Sequence, residues 1–189
     1  MGWTYTHKDV GQSVKDFFRS EFDWVNEKRR VTVLDCAVVC LREAYIAMEA
    51  VDLVNHSREV FAIVCLLDYQ PNDYYNFGYK DMEESMGPYN YNCPERILNL
   101  LTPTGNEYAL KWRWKCREAV ERRKKVAKIK NGDILEFEEP IVFQNGCKIQ
   151  QLQVKDKKKG LFKQPGKAWI SFKLKRDALA NRPFRVITA

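Results

Sequence analysis

Three apolar runs follow one another with little polar relief: VTVLDCAVVCLR (31–42), EAYIAMEAVDLV (43–54) and EVFAIVCLLDYQ (59–70). Each has strand length and is rich in β-branched or alternating residues, and the polar break NHSRE separates the last two. Such a series can bury its apolar faces by pairing with itself, so it predicts a three-stranded antiparallel meander. The middle run also suits a helix, since Ala, Met and Glu are good helix formers. Its alternation of Tyr45, Ala47 and Glu49 with Ile46, Met48 and Ala50 favours a strand.

Helices are expected around this sheet. In GQSVKDFFRSEF, Ser13 is a plausible N-cap, Asp16 sits three residues on, and Val14, Phe17, Phe18 and Phe22 recur at helical spacing. Lys80–Met86 has a helical look ended by Gly87-Pro88. In NCPERILNLLTPT, Pro94 suits a first helical position, with Asn92 or Cys93 as cap. A longer amphipathic helix is expected over 107–128. Ala109, Trp112, Cys116, Ala119 and Val120 form one face, and Arg113, Arg117, Lys124 and Lys128 line much of the other.

Beyond residue 128 the pattern changes to short β-rich runs separated by NG, NG, KKKG and PG, the spacing of a small closed or nearly closed barrel. One helical turn is expected within 175–180, before a final strand FRVI. The fold class is therefore α+β: an N-terminal antiparallel sheet with packed helices, a long basic helix, and a C-terminal SH3-like β-barrel. The expected domains are 1–128 and 129–189.

Charge divides the chain more sharply than composition does. Residues 1–106 carry 10 Lys and Arg against 16 Asp and Glu, a net −6; residues 107–189 carry 22 against 9, a net +13. A basic half of this strength points to a polyanion, most often nucleic acid. The phosphate contacts expected are Arg113, Arg117, Arg122, Arg123, Lys124 and Lys125 on the helix, and Lys157, Lys158 and Lys159 in the patch KDKKKG. Trp112, Trp114, Phe162 and Trp169 are interleaved with these charges and suit base stacking, although Trp112 also fits a core. No RRM, KH or zinc-finger signature supports sequence-specific reading.

The segment DYYNFGYKDMEESMGP (73–88) packs four aromatic rings among the acids Asp73, Asp81, Glu83 and Glu84. One reading is a protein-contact surface built from Tyr75, Phe77, Tyr79, Asp81 and Glu84. The alternative is a metal-dependent nuclease using Asp68, Asp73, Asp81 and Glu84 to hold Mg²⁺ beside a phosphate. Apart from that alternative, no catalytic residue, metal or cofactor is expected. Walker A, Rossmann and H-E-x-x-H motifs are missing from the sequence. Cys93 at a helix start has no placed base to make it a nucleophile. The six cysteines form no C-x-x-C pair, and Cys36, Cys40 and Cys65 read as buried thiols. The first residues, MGWTYTHKDVG, lack the basic start and apolar stretch of a signal peptide. A reducing, cytoplasmic compartment is expected.

The opening MGW, the block PNDYYNFGYKDMEESMGP (71–88) and CPERILNLLTPT (93–104) together resemble an uncharacterised family of small proteins carried by phages, plasmids and integrative elements of bacteria. The resemblance covers most of residues 1–130 and brings no catalytic residues with it. It implies a bacterial host cytoplasm and an accessory role. That role is counter-defence, as in anti-CRISPR or antirestriction proteins that occlude a defence nuclease, or assistance to element replication. The partners expected are nucleic acid, a defence nucleoprotein such as a CRISPR effector, or both.

Overall fold

The structure is a computed structural model that describes residues 2–167, 170–175, 178–179 and 182–187. The chain divides into two compact units, Met1–Val120 and Glu121–Ala189. Both are antiparallel sheets with helices, so the fold is mixed α/β.

The first unit holds strands β1 (Thr4–Thr6), β2 (Trp24–Val25), β3 (Arg29–Val39), β4 (Glu43–Asp52), β5 (Arg58–Tyr69) and β6 (Phe77–Glu83). Their order across the sheet is β1-β6-β5-β4-β3-β2. The meander read from the sequence is its centre, with Ala47 paired to both Asp35 and Ala62. One face buries Val33, Ile46, Met48, Cys65 and Leu67 against Phe17 and Phe18 of helix α1 (Val14–Phe22). Ser13 caps that helix, accepting the Asp16 amide at 3.0 Å. The opposite face buries Tyr45, Ala47, Ala62 and Val64 against Ile97 and Leu98 of helix α2 (Glu95–Leu98) and Trp112 and Cys116 of helix α3 (Glu107–Lys128).

Residues 80–86 depart from the helix expected there. Residues 77–83 are strand β6, and only Glu84–Met86 form a short 3₁₀ turn, closed by Gly87 in the left-handed region. Tertiary pairing overrides local helix preference. Strand β5 needs a neighbour, and Phe77 and Tyr79 alternate onto the α1 face. There the Phe77 ring meets Phe17 edge-on at 4.7 Å and the Tyr79 ring meets Phe18 at 5.5 Å. Pro94 is the N-cap of α2 rather than its first residue, with extended backbone, and Cys93 before it is buried in the core. Cys40 is exposed, against expectation. With Leu41 it takes positive φ (55° and 57°) in the three-residue β3–β4 turn, where the Arg42 amide donates to the Val39 carbonyl at 3.3 Å.

The second unit is a five-stranded sheet: β7 (Ile134–Val142), β8 (Lys148–Asp156), β9 (Leu161–Lys163), β10 (Ser171–Lys173) and β11 (Phe184–Ile187), in the order β10-β9-β8-β7-β11. Pro140 has no amide to donate, and the β7–β8 register shifts between Glu136 and Ile141. Leu135, Phe137, Leu152, Val154 and Phe184 build the core. Val126 and Ile129 belong to that core. The division between the two compact units falls inside α3, after Val120. Ala178 and Leu179 are helical within the turn expected over 175–180, whose Arg176, Asp177 and Ala180 lie outside the described residues.

Candidate polyanion site

The β8–β9 turn carries Lys157, Lys158 and Lys159, and its own backbone chemistry fixes it. The Asp156 carboxylate accepts the Lys159 amide at 3.1 Å, and the Gly160 amide donates to the Lys157 carbonyl at 3.2 Å. Gly160 has φ +64°, and a Cβ there would stand 2.5 Å from the Leu174 carbonyl oxygen. Only glycine permits this approach without displacement. The approach is used: the Leu174 amide donates to the Gly160 carbonyl at 3.0 Å. The contact extends the β9–β10 pairing of Lys173 with Leu161 and sets the turn beside Lys173 and Lys175.

The end of α3 closes the other side. Lys157 donates its Nζ to the Ala127 carbonyl at 2.6 Å, and its amide donates to the Asn131 side chain at 2.9 Å. A cation on the last helical carbonyls is favoured by the helix dipole as well as by the hydrogen bond.

Between these parts lies a cavity of about 1020 Å³. Its apolar floor is Val126, Ile129, Val154, Phe162, Leu174 and Leu179. Its rim is Lys157, Lys158, Lys159, Lys173 and Lys175, with no acid among the described lining residues. Lys158, Lys159, Lys173 and Lys175 are exposed. The neighbouring Asp156 is turned toward its own loop, 4.0 Å from the Lys159 Nζ. The whole unit, residues 121–189, carries 18 Lys and Arg against 7 Asp and Glu, a net +11. An apolar pocket with a one-sign polar rim has the make-up of a binding site for an anion with an apolar part.

The lysine patch at 157–159 was legible in the sequence; Lys173 and Lys175 were not singled out. The signal was there in FKLK, where two lysines flank Leu174 at strand spacing.

The basic residues expected on α3 have other occupations. Arg113 lies on the buried side of the helix and pairs with Glu84. Arg117 reaches the Leu98 carbonyl at 3.3 Å. Lys124 pairs with Glu121 at 3.0 Å. Lys125 donates to the Phe184 carbonyl, and its ammonium lies 4.8 Å from the Phe184 ring centre. Arg122 and Arg123 are partly buried. Of the aromatic residues, Trp112 is in the core and donates to the Asn90 carbonyl at 2.9 Å, Phe162 is buried, and Trp114 is exposed. Trp169 lies outside the described residues.

The acids of the nuclease alternative do not converge. Asp68 and Asp81 stand opposite Gly78 and Cys65 across the β5–β6 ladder. Positions 65 and 68 are three apart, so their side chains leave opposite faces of the sheet. Asp73 accepts the Tyr75 amide inside a turn. Glu84 is buried. Among the described residues, no group of three or more His, Cys, Asp or Glu is placed to hold a metal ion. The protein-contact surface is corrected too: Phe77, Tyr79 and Glu84 are interior, while Tyr75 is exposed beside Tyr74 and Asp81 is partly exposed. Tyr79 donates to Glu21 at 3.0 Å, and burial first, then that acceptor, raises its pKa.

Residues 103–176 match the family model described as Domain of unknown function (DUF6927). The match runs from just before α3 through β10 and takes in every cavity residue except Leu179. No curated protein matches the chain. No solved structure matches it. Among the described residues, no helix is long and apolar enough to cross a membrane.

Proposed function

We propose that this protein works by binding, and that its second unit is a module for nucleic acid or nucleoprotein. The observation that carries this reading is the lysine rim: five lysines from two chain segments around one cavity, without an acid among the described lining residues. Nucleic-acid backbones reward such an arrangement through counterion release, without regard to sequence. The antiparallel order β10-β9-β8-β7-β11 is compatible with a small SH3-like barrel, an architecture that presents loops around a compact core.

The resemblance of most of residues 1–130 to proteins of phages and other mobile elements supplies the context. The protein is a counter-defence inhibitor of the bacterial cytoplasm that occludes a defence nuclease such as a CRISPR effector. The lysine rim would engage nucleic-acid backbone, and exposed Tyr74 and Tyr75 on the first unit would offer rigid aromatic contact to protein.

The test is binding of labelled DNA and RNA by the full chain across a salt series, followed by capture of defence nucleoproteins. Affinity that falls steeply with salt supports the reading. Salt-independent binding, or none, to nucleic acid and nucleoprotein alike contradicts it.

A further inference from the structure

We infer that the cavity of the second unit takes an unstacked base of a single-stranded nucleic acid, with the flanking phosphates on the lysine rim; this rests on the binding reading above. A double helix offers the protein phosphates and sugars on a convex surface and keeps its bases stacked inside. It would meet Lys158, Lys159, Lys173 and Lys175 but make no use of the apolar floor. A single strand presents both chemistries within one nucleotide: a charged backbone and an apolar base face. The floor, with Leu174 partly exposed and Ile129 and Phe162 buried, suits that face, and the cavity volume of about 1020 Å³ is ample for it. Ligand pockets in general run to roughly 300–1,000 Å³.

An acidic peptide with a large apolar side chain would satisfy the cavity alone. The charge beyond the cavity favours the nucleic acid. Lys128 and Lys130 flank Ile129 in sequence and Lys155 follows Val154, all three exposed, so further cations adjoin the cavity residues along the chain. A regularly charged polymer uses these cations, whereas a single bound side chain does not.

The experiment is fluorescence anisotropy on the full chain at one moderate salt concentration. Four labelled probes are compared: oligothymidine, an abasic strand of the same length, a duplex of that length, and an acidic peptide with interspersed phenylalanines. The inference predicts that oligothymidine binds about tenfold or more tightly than the abasic strand, which has the same phosphates and no bases. It predicts a similar margin over the duplex. Leu174→Gln, in a variant whose thermal unfolding shows it folded, should narrow the margin over the abasic strand and leave affinity for that strand unchanged. Equal binding of strand, abasic strand and duplex overturns the base pocket while the backbone-binding reading stands. Binding of the peptide with no binding of any nucleic acid overturns both.

Discussion

Arg113 and Glu84 form a two-point ion pair inside the first unit. Arg113 Nε donates to Glu84 Oε2 at 2.7 Å and Nη2 donates to Oε1 at 2.5 Å. The pair closes the open edge of β5 beyond the end of β6. Glu84 Oε1 accepts the Ala62 amide at 3.2 Å, and Arg113 Nη1 donates to the Thr102 carbonyl at 2.5 Å. Thr102 in turn pairs its amide with the Val60 carbonyl at 3.0 Å. Strand groups left without a neighbour are thus satisfied by side chains and one loop residue.

Removing one partner should leave the other largely buried and unpaired. Arg113→Ala or Glu84→Ala should each destabilise the first unit by about 3–5 kcal/mol, read from urea denaturation. Under folding conditions, Arg113→Ala should leave the salt dependence of nucleic-acid binding unchanged. A shallower salt slope for this variant would return Arg113 to the binding surface.

Gly160 positions the lysine turn. Gly160→Ala places an L-residue at positive φ, at a cost of about 1–2 kcal/mol. It also forces the turn away from Leu174, whose carbonyl oxygen would lie 2.5 Å from the new Cβ. The expected outcome is weaker nucleic-acid binding with the core of the second unit retained, seen by anisotropy beside circular dichroism. Wild-type affinity would show that the turn's position is immaterial to binding.

Thiol reactivity should sort by position. Cys40 and Cys147 are exposed, whereas Cys36, Cys65, Cys93 and Cys116 are buried. Two thiols should react rapidly with an aromatic disulfide reagent at neutral pH, and the other four only on unfolding. Fast labelling of more than two would mean that the first unit opens readily.

The same burial makes the first unit sensitive to alkali. Desolvation, then the Asp35 charge, pushes the Cys36 thiol up to about 12 from its usual 9.0. The unfolded chain then loses this proton at lower pH than the folded one. The corresponding stability is full below pH 9 and is lost as pH rises toward 12. Buried Tyr45 and Tyr79, both shifted upward by burial first, add to the loss above pH 10. Urea midpoints should be flat to pH 9 and then fall, with a shallower decline in Cys36→Ala. A midpoint that rises across that range would contradict the assignment.

The sheet was legible because its evidence is local. Residues 31–70 alternate, and Ser13 with Asp16 marks a helix start within four residues. Strand β6 was not, because its partner is β5 and its buried rings answer to α1, neither of which a seven-residue window contains. The periodicity of α3 placed its apolar stripe but misassigned Arg113, which reads as a surface cation until Glu84 is seen facing it. Lys157–Lys159 stood out as a run. Their relation to Lys173 and Lys175 depends on the Gly160–Leu174 approach, which no spacing rule encodes.

The most direct test compares the full chain with a variant carrying Lys158→Gln, Lys159→Gln, Lys173→Gln and Lys175→Gln. The logarithm of affinity for a single strand is plotted against the logarithm of salt concentration for each. With each lysine on a phosphate contributing about 0.7 to the slope, the variant should bind more weakly, with a slope shallower by about 3. Identical slopes in a folded variant would mean that the lysine rim is a solvated surface and that nucleic acid, if bound, is held elsewhere.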